Sequence, residues 1–271
     1  MACSAPSAGD DPLAVSDPTS ASTSASASSS APGQHRSPRL KPDPVDDPEL
    51  KVLAEYRLSK GTLPDGTPSR DARIWNRFRS LFPALVTREI AYFVALDGPR
   101  SGDVDGAMQL SALNDSDFYL ALDVTGMSTP AELDRTMIHE FAHLLTLRGS
   151  QISPDEAANR SCRIYTNELG CPEAGSYLYD WDTAFWKGYT VADSDAERGN
   201  DKLVQRRFER GGYVTEYAAT DPAEDLAETF SEWVLGTSHP DGGTTVRRKL
   251  AFFDNYPEAL KIRAHVRSVL G

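Results

Sequence analysis

The sequence lacks the features of several large protein classes. It has no stretch approaching about 18 consecutive apolar residues, the length that a membrane-spanning helix needs. Lysine and arginine total 28 against 40 aspartates and glutamates, and this net charge of −12 argues against nucleic-acid binding, which needs clustered positive charge. A GxSxG nucleophile motif and a glycine-rich nucleotide loop are both absent. Three cysteines in 271 residues are too few for a small domain built on disulfides.

The N-terminal part differs sharply in composition from the rest of the chain. Residues 1–40 contain 11 serines, 8 alanines and 5 prolines, and no aromatic residue. Such a segment cannot bury enough apolar surface to offset the entropy lost on ordering. The sequence therefore predicts a disordered tail or tether over residues 1–45 and a folded domain over residues 46–271.

The first residues, Met1-Ala2-Cys3-Ser4-Ala5-Pro6, resemble the mature end of a bacterial lipoprotein. There a cysteine follows small residues and a Ser/Ala/Pro-rich tether follows the cysteine, although the usual charged and apolar signal segment is missing here. We therefore expect an extracellular or surface-tethered protein with a candidate lipid anchor at Cys3. The alternative is a cytosolic protein with a disordered tail.

The two remaining cysteines, Cys162 and Cys171, are nine positions apart in a loop-like, glycine- and proline-containing neighbourhood. In an exported protein we expect this pair to close a small disulfide loop. A zinc site is the weaker alternative, because no CxxC spacing or nearby histidine accompanies the pair. A free buried pair is the third alternative.

The rest of the chain predicts a mixture of helices and strands. Apolar periodicity indicates helices over residues 50–58 and 69–82 and a last helix over Pro257–Leu270. Runs of β-branched, aromatic and aliphatic residues predict strands over Ile90–Leu96 and residues 118–124, with a turn-rich stretch over residues 98–106.

The strongest helix signal follows these strands. Thr129 is placed as an N-cap, Pro130 suits the first helical position, and Glu132 completes a capping box. Apolar residues recur at helical spacing beyond this start, and Gly149 marks the end. The pattern predicts a helix over Pro130–Leu147.

This helix carries an HExxH motif, His139-Glu140-Phe141-Ala142-His143. Side chains at positions i and i+4 of a helix lie on one face, so both imidazoles can reach one tetrahedral zinc ion. The carboxylate that follows the first histidine can reach a water on that metal and accept its proton. The alternative is a pair of histidines that bind no metal.

A catalytic zinc ion needs a third protein ligand. A histidine at position 149 would complete the metzincin pattern, but that residue is Gly149. The remaining histidines, at positions 35, 239 and 265, lie in the tail or near the end of the chain without a motif around them. We therefore look for a carboxylate on a later helix.

Glu224 and Glu228 are the best candidates for that carboxylate. The preceding Asp221-Pro222 pair repeats the helix-start pattern of a cap followed by proline, and the two glutamates share a helical face. One can bind zinc while the other accepts the N–H of a ligand imidazole. In the alternative interpretation, Glu224 only completes a capping box with Asp221, and Glu228 is solvated.

The HExxH motif followed by residues 217–230, YAATDPAEDLAETF, resembles the catalytic domain of anthrax lethal factor and its secreted bacterial relatives. These proteins are zinc metallopeptidases of the gluzincin group. The resemblance implies that Glu224 is the third ligand, beside His139 and His143. It also implies that Glu228 orients a zinc-binding histidine and that Tyr217 stabilises the developing oxyanion. The longer stretch between the two motifs, residues 150–212, leaves the substrate open, because loops shape the cleft.

These expectations combine into one hypothesis. The fold is α+β and zincin-like, with a small sheet, an active-site helix and a mainly helical second half. The activity is zinc-dependent hydrolysis of a peptide or protein substrate, more in the manner of an endopeptidase than of an exopeptidase, with Glu140 as general base. We expect an edge strand over residues 118–123 to pair with the substrate. The alternatives are an exported zincin-fold binding module without catalysis and a zinc-dependent hydrolase of a non-peptide amide.

Overall fold

The structure is a computed structural model that describes residues 2–4, 44–84, 86–127, 129–153, 162, 164–165, 170–190, 193, 200–237 and 243–271. Most of the predicted tail lies outside these ranges, as do His35 and His239. The division into a tail and a domain therefore stays a prediction for those residues. The described part is α+β, with a small sheet followed by a mainly helical second half.

One five-stranded sheet forms the first half of the molecule. Its strands are β1 (Ala2–Ser4), β2 (Val52–Arg57), β3 (Ile90–Leu96), β4 (Val104–Ser111) and β5 (Asn114–Asp123). Their order across the sheet is β1-β4-β5-β3-β2. Only β3 and β5 run parallel to each other among these neighbours, and the other pairs are antiparallel. A second sheet pairs β6 (Ile152–Ser153) with β7 (Cys171–Pro172).

Two strand predictions are confirmed and one helix prediction is wrong. The strand over Ile90–Leu96 agrees with β3, and the strand over residues 118–124 is the second half of β5. The helix predicted over residues 50–58 is the strand β2. Leu50, Ala54 and Leu58 have the four-residue spacing of a helical face, but pairing with β3 satisfies the backbone of this segment and buries Ala54 and Tyr56.

The prediction that residues 118–123 form an edge strand is also wrong. This part of β5 lies between β3 and β4 and pairs with both. The stretch over residues 98–106 was expected to be a turn, but its last residues begin β4, which joins β5 through a tight hairpin. The strand next to β4 on its other side is β1.

Seven helices account for most of the remaining described residues. They are α1 (Ser69–Leu81), α2 (Pro130–Leu147), α3 (Tyr177–Trp181), α4 (Asp201–Glu209), α5 (Pro222–Leu235), α6 (Gly243–Phe252) and α7 (Pro257–Leu270). The predictions of α1, α2 and α7 are confirmed. A π-helical turn, Asp182–Trp186, continues α3, and short 3₁₀ turns include Tyr217–Ala219.

The main core lies between the sheet and the helices. Phe141 of α2 stacks on Phe82 with a ring-centroid separation of 3.9 Å, and Trp75 of α1 packs against Phe93 of β3. Alternate residues of β5 face the opposite side of the sheet, where a smaller cluster forms around Tyr119. Burial of α2 against the sheet therefore fixes the helix that carries the HExxH motif.

Cys162 and Cys171 form a disulfide, as the sequence predicted for an exported protein. Cys171 begins β7, so the bridge ties residue 162 to the small second sheet. The compartment itself stays a prediction. No helix within the described ranges is long and apolar enough to cross a membrane.

Candidate metal centre

The start of α2 is fixed by a complete capping box. Thr129 Oγ1 accepts a hydrogen bond from the backbone N–H of Glu132 at 3.2 Å, and Glu132 Oε2 accepts one from the N–H of Thr129 at 2.9 Å. Pro130 occupies the first helical position, where its missing N–H costs nothing. This start and the buried face of α2 determine where His139, Glu140 and His143 point.

The second helix of the site, α5, is capped by an aspartate. Asp221 Oδ1 accepts hydrogen bonds from the N–H groups of Ala223 at 2.8 Å and Glu224 at 3.1 Å. Burial, together with the charge of Glu224, raises the pKa of Asp221 to about 7. The cap uses the side chain of Asp221, so the carboxylate of Glu224 is turned towards α2 instead.

Two histidines of α2 and one glutamate of α5 converge on a single point. His139 Nε2 lies 3.1 Å from Glu224 Oε2, His143 Nε2 lies 3.3 Å from the same oxygen, and the two Nε2 atoms are 3.0 Å apart. Ligands at zinc–ligand distances of about 2.0–2.1 Å in a tetrahedron stand about 3.3 Å from one another. The three atoms therefore have nearly the separations that three ligands of one zinc ion require.

The hydrogen bond between His139 and Glu228 leaves the lone pair of His139 on the other ring nitrogen, where it can bind a cation. His139 Nδ1 lies 2.7 Å from Glu228 Oε1, and because an ionised carboxylate only accepts, the imidazole donates from Nδ1. The lone pair of a neutral His139 is then on Nε2, which faces the Glu224 oxygen. Two acceptor atoms at this distance repel each other unless a cation or a proton lies between them. Two imidazole nitrogens and one carboxylate oxygen form a donor set that suits zinc.

The electrostatics of the two glutamates agree with this arrangement. Burial alone would raise the pKa of Glu224, which is only 1% exposed, but the neighbouring His143 and His139 outweigh burial and lower that pKa well below its usual range. Burial likewise opposes the ionisation of Glu228, but hydrogen bonds from His139 and Thr215 lower its pKa. Both carboxylates are therefore ionised at neutral pH, as a metal ligand and its neighbour must be.

Thr215 supports Glu228 from behind. Its hydroxyl donates to Glu228 Oε2 at 2.9 Å and accepts from the N–H of Ala218 at 3.0 Å. The sequence analysis missed Thr215, because nothing in its local pattern distinguishes it from a surface threonine. The chain Thr215–Glu228–His139 fixes both the tautomer and the ring orientation of His139.

Glu140 and Tyr217, the two residues predicted to act on the substrate, lie beside the converging ligands. The side chain of Glu140 is fully buried and faces β4 at Gly106, where a Cβ atom would lie only 2.9 Å from Glu140 Oε1. Glycine at position 106 therefore makes room for the carboxylate. Tyr217 begins a 3₁₀ turn just before α5, and its ring centroid is 6.1 Å from that of His139.

The helices of the site are held together by an ion pair and by a buried charge network. Arg135 of α2 pairs with Glu232 of α5, so Glu232 is engaged away from the histidines. About 100° around α5 from Glu224, Asp225 Oδ2 contacts the ammonium of the buried Lys249 at 2.7 Å. Asp225 directly follows Glu224 in sequence, so the network is anchored one residue from the metal-facing carboxylate.

The same oxygen of Asp225 accepts two further hydrogen bonds from the segment between the two motifs. The indole N–H groups of Trp181 and Trp186 donate to it at 3.1 Å and 2.7 Å. Tyr213 lies under the Lys249 ammonium, 3.9 Å from its ring centroid. No sequence pattern links these aromatic residues to Asp225, because each of these contacts spans a long stretch of chain.

The predicted ligands form the one group of three or more potential metal-binding side chains among the residues that the structure describes. His265, one of the histidines set aside in the sequence analysis, instead contacts the carbonyl oxygen of Ser80 at 3.1 Å. Two imidazoles and a carboxylate from two helices can therefore hold one metal ion. Glu228 lies behind this group, and Glu140 and Tyr217 lie beside it.

Comparison with known proteins adds little to this geometry. No protein-family model matches the chain, and no curated protein is significantly similar to it. One solved structure, from Bacteroides caccae and described as a "putative zinc-binding metallo-peptidase", is 16% identical, with a TM-score of 0.37 over 73% of this chain and 74% of that chain. A TM-score this low carries no argument about fold or function.

Proposed function

We propose that this chain is a zinc-dependent peptidase of the gluzincin type, with a zincin-like fold, in which His139, His143 and Glu224 hold the metal. The observation that carries the proposal is the tetrahedral spacing of these three ligand atoms, with a glutamate directly after the first histidine. A bound zinc ion supplies Lewis acidity and lowers the pKa of a coordinated water towards about 7.

Glu140 is the general base of the proposed reaction. Its carboxylate takes a proton from the water that attacks the carbonyl carbon of the scissile peptide bond. It then gives this proton to the nitrogen of the departing amine. The carboxylate is completely buried beside Gly106, and this burial keeps bulk water from it. General-base catalysis of this kind contributes about 10²–10⁴ in rate.

Tyr217 and Glu228 have supporting roles in this mechanism. The phenol of Tyr217 donates a hydrogen bond to the oxygen that becomes negatively charged during attack, and its position near the His139 ring supports this role. Glu228 accepts the Nδ1–H of His139 and keeps Nε2 of that ring available as a ligand.

The proposed enzyme acts outside the cytosol. The Cys162–Cys171 disulfide supports an oxidising compartment, in which such bonds persist. Analysis of the protein isolated from its native cells tests this part, by fractionation and by mapping of the two cysteines under non-reducing conditions.

The decisive experiment measures zinc content by mass spectrometry and cleavage of a random peptide library with and without chelator. Libraries with blocked termini test for endopeptidase action. Glu140→Gln should retain stoichiometric zinc and lose about 10²–10⁴ in cleavage rate, because the amide cannot accept a proton. The matched control is Glu132→Gln, at the exposed start of the same helix, which should cleave at the wild-type rate.

The alternatives predict different results in this experiment. A protein that binds zinc but cleaves no peptide, blocked or unblocked, would contradict the proposed activity and favour a binding module. Cleavage of non-peptide amides alone would favour the other hydrolase class. Wild-type peptide cleavage by Glu140→Gln would exclude Glu140 as the base.

A further inference from the structure

The outer edge of β4 is occupied by the strand β1, from the segment that the sequence predicts to be a tail. β1 runs antiparallel to β4, and Ala2 pairs with Ala107, Cys3 with Gly106 and Ser4 with Val104. The register shifts between Cys3 and Ser4. A three-residue strand makes few hydrogen bonds and gains little stability of its own.

This edge lies beside the proposed general base. Gly106, the partner of Cys3, is the residue of β4 that approaches Glu140, with its Cβ position 2.9 Å from Glu140 Oε1. Paired antiparallel residues have Cα atoms about 4.5–5.5 Å apart. A backbone that adds to the outer edge of β4 at Gly106 therefore passes within about one strand spacing of the place where Glu140 meets the sheet.

We propose that Ala2–Ser4 occupies in cis the edge of β4 on which an extended peptide substrate binds, and that this segment competes with substrate. The inference rests on the proposed function and deepens it. The substrate class is then a polypeptide segment in extended form, recognised through backbone hydrogen bonds to residues 104–107 of β4. A folded helix cannot make these bonds.

The competition is of modest strength because the competing strand has only three residues. Residues 5–43 connect β1 to the rest of the domain, and a segment tethered in this way competes at an effective concentration on the order of millimolar. A three-residue strand with an affinity in the same range would occupy the edge for about half of the time. Its release would lower the apparent KM by about twofold or more and leave kcat unchanged.

The test uses the full chain carrying A2P/C3P/S4P, which removes every backbone N–H that β1 offers to β4. The matched control, S24P/A25P/S26P, introduces the same number of prolines into the serine- and alanine-rich tract. A second control, Cys3→Ser, removes the thiol and retains the backbone. We expect a lower KM for peptide cleavage only in the first variant, with kcat and zinc affinity as in the wild-type protein.

Hydrogen exchange at the amides of residues 104–107 provides a readout that does not depend on catalysis. Exchange should rise in A2P/C3P/S4P and stay unchanged in both controls. If exchange rises but KM does not change, this edge is not where substrate binds, and the inference is overturned while the proposed function stands. Unchanged exchange would show that β1 does not cover the edge. If no variant cleaves peptides, the proposed function fails instead, whatever the exchange shows.

Discussion

The two helices that carry the candidate ligands and the segment that connects them are held in different ways. Helices α2 and α5 start at side-chain caps and pack along most of their length, so each is defined by contacts within itself and by one buried face. The described part of the connecting segment, within residues 150–212, contains two short strands, a disulfide, short helices and a π-helical turn. Its buried tryptophans, Trp181 and Trp186, pack into the main core, and both indoles donate hydrogen bonds to Asp225 of α5.

The two regions meet at adjacent residues of α5. Glu224 faces the histidines, whereas Asp225, rotated by about 100° on the helix, faces the indoles of the connecting segment. One side of this turn therefore faces the histidines, and the other side contacts the connecting segment. We therefore expect that substitutions can perturb the candidate metal centre and the connecting segment separately, although Glu224 and Asp225 are neighbours in sequence.

The largest effect on zinc binding is expected from Glu224→Ala, on the side of this turn that faces the histidines. Loss of one of three protein ligands should weaken zinc binding by about 1000-fold or more, or about 4 kcal/mol. Circular dichroism of the metal-free variant should remain that of a folded protein. Competitive zinc titration against a chromogenic chelator measures the change.

The control for Glu224→Ala is Glu209→Ala, at the exposed end of α4. It removes one carboxylate away from the histidines and should leave zinc affinity within about threefold of wild type. A folded Glu224→Ala protein with wild-type zinc affinity would exclude Glu224 as a ligand.

On the side of α5 that contacts the connecting segment, Lys249→Met should lower the free energy of unfolding by about 3 kcal/mol. The substitution leaves the buried carboxylate of Asp225 without its cation, and breaking a buried pair from one side is strongly unfavourable. Urea unfolding of the metal-free protein measures the loss. The double variant Asp225→Asn/Lys249→Met should recover part of the stability, since no buried charge remains.

The effect of Lys249→Met on zinc affinity tests whether the candidate metal centre and the connecting segment behave independently. Zinc affinity should fall by less than about tenfold, because Glu224 is held by its own cap and by α2. A loss as large as that of Glu224→Ala would show that the network positions the ligand directly. The two sides of α5 would then act as one unit.

The sequence predicted the two ligand helices better than the connecting segment for a physical reason. The cap, proline and glutamate at each helix start act within one turn, and HExxH places both histidines on one face by helix periodicity alone. Such interactions join residues within one turn, so a short stretch of sequence predicts them. The i, i+4 spacing of Glu224 and Glu228 left open which of the two faces the histidines, and only the resemblance to the lethal factor domain pointed to Glu224.

The rest of the fold depends on contacts between distant residues, which a single sequence does not display. Asp225, Lys249 and the two tryptophans meet only after α3, α5 and α6 have packed together. The strand β2 was predicted as a helix because its apolar spacing suits either structure, and its pairing with β3 decides between them. Thr215 shows no sequence signal because its partner, Glu228, lies on another element.

A pH-dependent effect is expected in the connecting segment from Asp182. Burial raises its pKa to about 6, although the N–H of Tyr165 donates to its carboxylate and opposes the rise. The unfolded chain titrates near about 3.9, so between these values the folded state holds the extra proton. Stability therefore falls as the pH rises from about 4 to 6, and the loss persists above pH 6, at about 2–3 kcal/mol.

Asp182→Asn should remove this dependence. The variant should match the wild-type protein near pH 4 and exceed its free energy of unfolding at pH 7.5, as measured by urea titration in chelator at both pH values. Asp201→Asn, at the exposed start of α4, is the control and should show no such divergence. A constant difference between Asp182→Asn and wild type at both pH values would exclude titration of Asp182 as the cause.

The smallest expected effects concern zinc binding and the hydrogen bonds that orient His139. Glu228→Ala removes the acceptor of the Nδ1–H and should weaken zinc binding by about 10–100-fold, with the fold retained. Thr215→Val leaves Glu228 on the histidine and removes the donor behind it together with the acceptor of the Ala218 N–H, so its effect on zinc binding should be below about tenfold. The order Glu224→Ala, Glu228→Ala, Thr215→Val follows the distance of each group from the metal-facing atoms. If Glu228→Ala weakened zinc binding as much as Glu224→Ala, Glu228 would itself be a ligand candidate, because loss of an orienting hydrogen bond alone does not abolish a metal site.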